Sequence, residues 1–165
     1  MTRNEKFRLV EAYIVDYREA HYRLAYSYVR NKENALDIIQ EAIFKALKSI
    51  DFLEEIAYLK TWFYRIVINT SIDFIRKHSR VTFMDDDILP LHLPNLEDEL
   101  IDMDLQKAID QLPLHYKTVI ILRFFEDMKL DDIATITAVN VNTVKTRLYS
   151  ALKKLRVDIG KEFRI

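Results

Sequence analysis

The sequence predicts an all-α protein made of two small helical domains joined by an acidic linker, and three observations carry that expectation. Glycine is nearly absent: Gly160 stands alone in 165 residues, beside three prolines, Pro90, Pro94 and Pro113. All-β folds need many tight turns, and turns with positive φ favour glycine or asparagine, so this composition speaks for helices. Apolar residues recur at helical spacing in two blocks, with an aperiodic stretch between them. Charge is partitioned in the same way. Residues 1–80 hold fourteen Lys/Arg and eleven Asp/Glu, residues 81–106 hold eight acids and no base, and residues 107–165 hold eleven bases and seven acids. The net charge of −1 thus conceals two mildly basic blocks around an acidic bridge. Local fields, more than the total, steer a protein toward polyanions.

Composition also excludes several classes. Half the residues are hydrophobic, enough for a buried core and too many for wholesale disorder. There is no cysteine, which removes disulfides and cysteine-ligated zinc and fits a reducing, cytoplasmic setting. Residues Met1 to Arg8 carry charge and no apolar h-region, so no secretory signal is visible. No apolar run approaches the ~20 residues that span a bilayer. GxGxxG, P-loop and HExxH patterns are missing, and His21, His78, His92 and His115 show no metal spacing, so no cofactor, metal or catalysis is expected.

The first block begins with Tyr13, Ile14 and Tyr17, then Leu24, Ala25, Tyr28 and Val29. Leu36, Ile39, Ile43, Ala46, Leu47 and Ile50 follow, and Trp62, Phe63, Ile66, Val67, Thr70 and Phe74 close it. The pattern predicts three or four packed helices ending near Arg80. The helix over about 59–78 is apolar around most of its girth. It keeps a polar stripe of Thr61, Arg65, Asn69 and Arg76, broken by Ile72. With its aromatics and the loop Ile50 to Ala57, this stripe suits single-stranded DNA, where stacking contributes roughly 1–3 kcal/mol per base. Trp62 and Phe63 fit the core equally well by their spacing. Asp37, Gln40 and Glu41, at i, i+3 and i+4, share one helix face.

Residues 81–98, acidic and containing Pro90 and Pro94, form the expected linker. Asp85, Asp86 and Asp87 have carboxylates that suit Mg²⁺ or Ca²⁺, but no glycine-shaped loop follows them. An acidic segment of this kind can instead mimic nucleic acid. The second block restarts near Glu99 with Ile101, Leu105, Ala108, Ile109 and Leu112, closed by Pro113. A helix over about 114–126 is expected to offer Val119, Ile120, Leu122 and Phe124 for burial.

The clearest signal runs from Leu130 to Arg156. A short helix over 130–137 has Asp131 and Asp132 at its positive end. Ala134 is small where two helices must approach, Ala138-Val139-Asn140 make the turn, and Val144 lies ten residues after Ala134. That is the spacing of a helix-turn-helix. No glycine marks the turn, so Asn140 and Asn142 are expected to supply the needed backbone. In the second helix, over 141–157, Val144, Leu148, Ala151, Leu152 and Leu155 share one arc. From Val141 to Val157 there are five bases and no acid, which suits phosphates and base edges. The leading part of such a helix enters the major groove. Lys145, Thr146, Tyr149 and Ser150 are therefore the candidate base contacts, and Thr143, Arg147, Lys153, Lys154 and Arg156 the candidate phosphate contacts.

Four segments together resemble the extracytoplasmic-function (ECF) sigma factors of the sigma-70 family, over about residues 10 to 157. Asn34 to Ala46 is similar to the segment that grips the polymerase β′ clamp. Thr61 to Asn69 is similar to the minus-ten reading helix. Leu112-Pro113, Tyr116, Val119, Leu122-Arg123-Phe124 and Ile133-Ala134 are similar to the lead-in to the minus-thirty-five motif, which Thr143 to Leu148 continue. The chain departs from the pattern at Asn142, where glycine is common, and at Ser150, where arginine is common.

The resemblance implies sigma domain 2 over residues 1–80 and sigma domain 4 over 99–165. It implies promoter-specific transcription initiation without catalysis, in a stress or envelope response. Minus-ten contacts would fall to Lys60, Trp62, Arg65, Asn69 and Arg76, and clamp contacts to Asp37, Gln40 and Glu41. The implied partners are core RNA polymerase, through its β′ clamp and β flap, promoter DNA in duplex and single-stranded form, and an anti-sigma factor, often membrane-anchored. No small-molecule substrate is implied. An autonomous helix-turn-helix regulator, binding duplex DNA without polymerase, would explain the second block but leave the matches at 34–46 and 61–69 unaccounted for.

Overall fold

A computed structural model describes residues 1–79 and 97–162, and all regular structure among them is helical. The chain divides into two compact units, Met1–Asp86 and Asp87–Ile165. The expected linker, with its aspartate triplet, lies outside the described residues except at its end, where Glu97 and Asp98 open a helix. No helix among the described residues is long and apolar enough to cross a membrane.

The first unit holds α1 (Arg3–Asp16), α2 (Arg18–Val29), α3 (Lys32–Lys48) and α4 (Leu59–Ser79). Thr2 and Glu5 cap α1 reciprocally, each side chain accepting the other's backbone N–H at 3.2 Å. Arg30 ends α2 with φ 54°, and Asn31 starts α3 by accepting the Asn34 N–H at 2.8 Å. Along α3, Ala35, Ile38, Ala42 and Ala46 are buried at spacings of three and four. The three alanines among them let α2 and α4 pack closely against α3. Phe63 and Val67 of α4 are fully buried, Phe63 edge-on to Tyr13 and His21, and each such side chain stabilises by about 1.5–3 kcal/mol. The buried hydroxyls of Thr70 and Ser71 donate back to the Ile66 and Val67 carbonyls, so α4 crosses the core with those groups satisfied.

Two short 3₁₀ turns, Ile50–Phe52 and Ile56–Tyr58, carry the chain from α3 to α4. Ile50, Leu53 and Leu59 pack with Val10 of α1, and Trp62, Tyr13 and Ile14 close over them. This cluster pins the loop against both α1 and the start of α4. Tyr17 and Leu36, grouped by spacing with the apolar stripe, are exposed.

The second unit holds α5 (Glu97–Asp110), α6 (Leu114–Ile120), α7 (Leu130–Thr137) and α8 (Val141–Glu162). Ala108, Ile109, Leu112, Ile120, Ala151 and Leu155 form a core in which α8 packs on α5 and α6. Pro113 breaks the chain before α6, and the buried Lys117 ammonium reaches back 3.1 Å to Asp110 at the end of α5.

The expected single helix over 114–126 is not continuous. Residues Ile121–Phe125 form a π-helical turn, in which the Glu126 N–H bonds the Ile121 carbonyl at 3.0 Å. The extra residue shifts the phase, so Phe124 is 55 % exposed where a regular helix was expected to bury it. Arg123 then locks the exit by donating to the Met128 carbonyl at 2.8 Å.

Candidate nucleic-acid interface

The helix-turn-helix is built by α7, its turn and α8. Two bonds end α7: the Val139 N–H reaches the Ala134 carbonyl at 3.1 Å, and the Ala138 N–H reaches that of Thr135 at 3.3 Å. This closure forces Ala138 into the left-handed region, φ 60°. The positive φ therefore falls on an alanine and not on Asn140 or Asn142 as the sequence suggested. The reason lies in the turn's length. Asn140 is needed two residues later, as the cap of α8, where its Oδ1 accepts the Thr143 N–H at 2.8 Å and the Thr143 hydroxyl at 3.0 Å. Ala134, Ile133 and Ile136 of α7 are buried, and so are Val144, Ala151 and Leu155 of α8. The two helices thereby pack on one another, as the motif requires.

What α8 turns outward is basic and polar. Lys145, Thr146 and Tyr149 are exposed, Tyr149 at 77 %, and Ser150 is half-buried. Lys153 and Arg156 continue the same exposed face. Thr143 is engaged in the Asn140 cap, and Arg147 is half-buried on the flank. Lys154 is exposed, but its ammonium lies 5.9 Å from the Tyr116 ring of α6, on the flank of the core-facing arc. Leu152, assigned to the buried arc by spacing, is partly exposed beside Tyr149. The structure thus brings Lys145, Thr146, Tyr149, Lys153 and Arg156 onto one surface and sets Arg147 and Lys154 to one side.

In the first unit, Lys60, Arg65, Asn69 and Arg76 are exposed along α4, as a polar stripe of that spacing requires. Trp62 is half-buried against the cluster that pins the preceding loop, while Phe63 belongs wholly to the core. Spacing missed two aromatics here. Phe52 is 81 % exposed and Tyr58 is also exposed, both on the loop leading into α4. Each lies in a 3₁₀ turn, outside the helical period, and that was the available signal.

On α3, Asp37, Gln40 and Glu41 are all exposed, opposite the buried alanines. Leu36 and Phe44 are exposed beside them, Phe44 at 61 %. Phe44 lies four residues after Gln40 and out of phase with the core stripe, which marks it as an outward aromatic. The face is therefore apolar ridged by acids, a composition that fits a protein partner better than plain solvent.

One titratable group sits behind α4. His21 is 1 % exposed and packs edge-on against Phe63 and Tyr64. Burial, and then the charges of Lys60 and Arg23, push its pKa down to about 4, so it is neutral near pH 7 and adds no charge to the surface.

Comparison with known proteins matches one segment in each unit. The family description "Sigma-70 region 2" matches residues 13–81, and "Sigma-70, region 4" matches residues 102–155. RNA polymerase sigma factor SigV of Bacillus subtilis (strain 168) is 51 % identical over 149 residues, covering 90 % of each chain. The ECF RNA polymerase sigma factor SigW of the same organism is 34 % identical, covering 88 % of this chain and 87 % of its own. Among solved structures, the sigma factor RpoE of Bartonella quintana, in complex with the anti-sigma factor NepR, superposes with a TM-score of 0.70. It shares 23 % identity and covers 90 % of this chain and 95 % of its own. CnrH, in complex with the cytosolic domain of CnrY, gives 0.69 at 16 % identity, covering 93 % and 89 %. At these identities the two structures speak for the fold alone.

Proposed function

The chain belongs to the extracytoplasmic-function sigma factors of the sigma-70 family, and from that premise we propose how its three outward faces divide the work of promoter-specific initiation. As a sigma factor it binds core RNA polymerase and promoter DNA and acts as a transcription initiation factor. The polymerase core makes the RNA, and nothing in this chain is asked to catalyse a reaction.

In this reading residues 1–80 act as sigma domain 2 and residues 99–165 as sigma domain 4. The α8 surface of Lys145, Thr146, Tyr149 and Ser150 reads the duplex minus-thirty-five element, with Thr143, Arg147, Lys153, Lys154 and Arg156 on phosphates. The α4 stripe of Lys60, Arg65, Asn69 and Arg76, with Trp62, holds the opened minus-ten strand. Asp37, Gln40 and Glu41 engage the β′ clamp, and the second unit meets the β flap. The setting is the cytoplasm, where an anti-sigma factor would restrain the protein until a stress or envelope signal frees it. The complex of RpoE with the anti-sigma factor NepR shows that a protein of this fold can be bound by such a factor.

The observation that carries this reading is the α8 surface over residues 141–156: Val144, Ala151 and Leu155 are buried, Lys145, Lys153 and Arg156 are exposed, and no acid lies among them. The match over residues 13–81 tells against an autonomous regulator, which would have no use for a polymerase-binding unit. Run-off transcription by purified core enzyme, with and without this chain, tests the proposal on a broad promoter pool. Promoter-specific start sites that appear only with the chain are expected. Their absence across the pool, with the chain retaining tight duplex binding on its own, would favour the autonomous regulator.

A further inference from the structure

The polar residues that open α8 are not equivalent. Asn140 spends its side-chain oxygen on the cap, accepting both the N–H and the hydroxyl of Thr143. The Thr146 hydroxyl donates to the Asn142 carbonyl at 3.0 Å, so its proton is also committed to the helix. Asn142 differs from all three. It is exposed, and among the described residues its side-chain amide makes no hydrogen bond.

Helix capping does not explain it. Asparagine is favoured at the cap because its side chain bonds the first free N–H groups, and Asn140 already does this. One step inside the helix asparagine is a poor helix former, and here no local bond compensates. Its place on the surface is specific, however. Asn142, Lys145, Thr146 and Tyr149 stand at i, i+3, i+4 and i+7, so Asn142 shares the exposed face of α8 with them. It also lies nearest the helix N-terminus, the end that a helix-turn-helix directs at base edges.

A carboxamide presents an acceptor and a donor side by side. Only adenine, among the bases seen from the major groove, offers the matching pair, its N6 amine and N7. We propose that Asn142 reads one adenine of the upstream promoter element through a bidentate hydrogen bond and is a specificity-determining residue of this chain. The neighbouring bonds set its frame. Asn140 fixes the start of the helix, and the Thr146 hydroxyl ties down the carbonyl of Asn142 itself. The proposal rests on the reading of α8 as the duplex-reading helix.

The test uses holoenzyme assembled from core polymerase and the full chain, wild type or Asn142→Ala, on a promoter pool randomised across the upstream element. Alanine raises helix propensity, so the variant is expected to fold, and its melting temperature is measured alongside. Wild type should favour A·T in one orientation at one position by roughly 5- to 150-fold, the range a good bidentate contact supplies. Asn142→Ala should flatten that position and keep the preferences at all others. An unchanged preference profile in the variant would overturn the proposal. So would an equal loss on every sequence, which marks a phosphate contact. A wild-type profile with no upstream preference at all would instead bring down the assignment of α8, and the two failures are thereby told apart.

Discussion

The imidazole Nε2 of His21 lies 3.0 Å from the phenol oxygen of Tyr13, inside the first unit and against Phe63 and Tyr64 of α4. This pair joins α1 to α2 at the base of the helix that carries Lys60 and Trp62. Burial also pushes the Tyr13 phenol above its ordinary range, so both partners are neutral at pH 7.

That arrangement makes stability pH-dependent, with a definite sign. His21 has an ordinary value of 6.5 and is lowered to about 4 in the fold, so the unfolded chain binds the proton more tightly. The contribution is complete above pH 6.5 and is lost as pH falls toward 4, by about 3 kcal/mol at most. Chemical denaturation of wild type and His21→Leu at steps from pH 7.5 to 4 checks this. The difference between them should narrow on acidification, because leucine has nothing to protonate. Lys60→Gln, which removes one charge that holds the value down, should shrink the loss.

The turn of the helix-turn-helix offers a stabilising change. Ala138 at φ 60° carries a Cβ where glycine carries none, a strain of roughly 1–2 kcal/mol partly offset by glycine's greater freedom in the unfolded chain. Ala138→Gly should raise stability by about 0.5–1 kcal/mol. Asn140→Ala should lower it by about 1 kcal/mol, through loss of the cap. Thermal melting of the two variants should move in opposite directions.

These positions also mark how far the sequence could be read. Regular apolar spacing, with Ala134 and Val144 ten apart, is enough to locate α7 at 130–137 and the start of α8 at Val141. Spacing failed where the backbone leaves the regular helix. The π turn at Ile121–Phe125 adds a residue that no pattern of apolar positions announces, and Phe124 is turned outward by it. Ala138 adopts the left-handed region because two capping bonds demand it, not because its side chain prefers it. The α8 and α4 surfaces followed from period and charge. Phe44, Phe52 and Tyr58 were not singled out, although Phe44 lies out of phase with the core stripe of α3 and the other two lie outside any helical period.

The loop before α4 should act on DNA without acting on the fold. Phe52→Ala and Tyr58→Ala remove exposed rings, so stability should change by less than about 0.5 kcal/mol. If the rings stack on the opened strand, each loss should weaken open-complex formation by about 1–3 kcal/mol, read as promoter half-life on a pre-melted and a closed template. The closed template should suffer more.

The α3 face should separate polymerase binding from DNA binding. Phe44→Ala and Asp37→Lys both alter exposed side chains and should leave melting within about 0.5 kcal/mol. Each should weaken capture of core polymerase at least tenfold, with Asp37→Lys the more salt-sensitive of the two. Titration of labelled core enzyme at two ionic strengths reads this directly.

The most direct measurement reverses the charge of the outward side of α8 in the full chain. Lys145→Glu, Lys153→Glu and Arg156→Glu are combined, and Lys107→Glu, an exposed base on α5, serves as the control. Holoenzyme transcription from an upstream-element promoter is followed against salt. The triple variant should lose promoter-specific transcripts by at least a hundredfold and show a salt slope shallower by about one for each phosphate contact removed, while the control matches wild type. A triple variant that still initiates at the same promoter, with the wild-type salt slope, would contradict the assignment of α8 to duplex DNA.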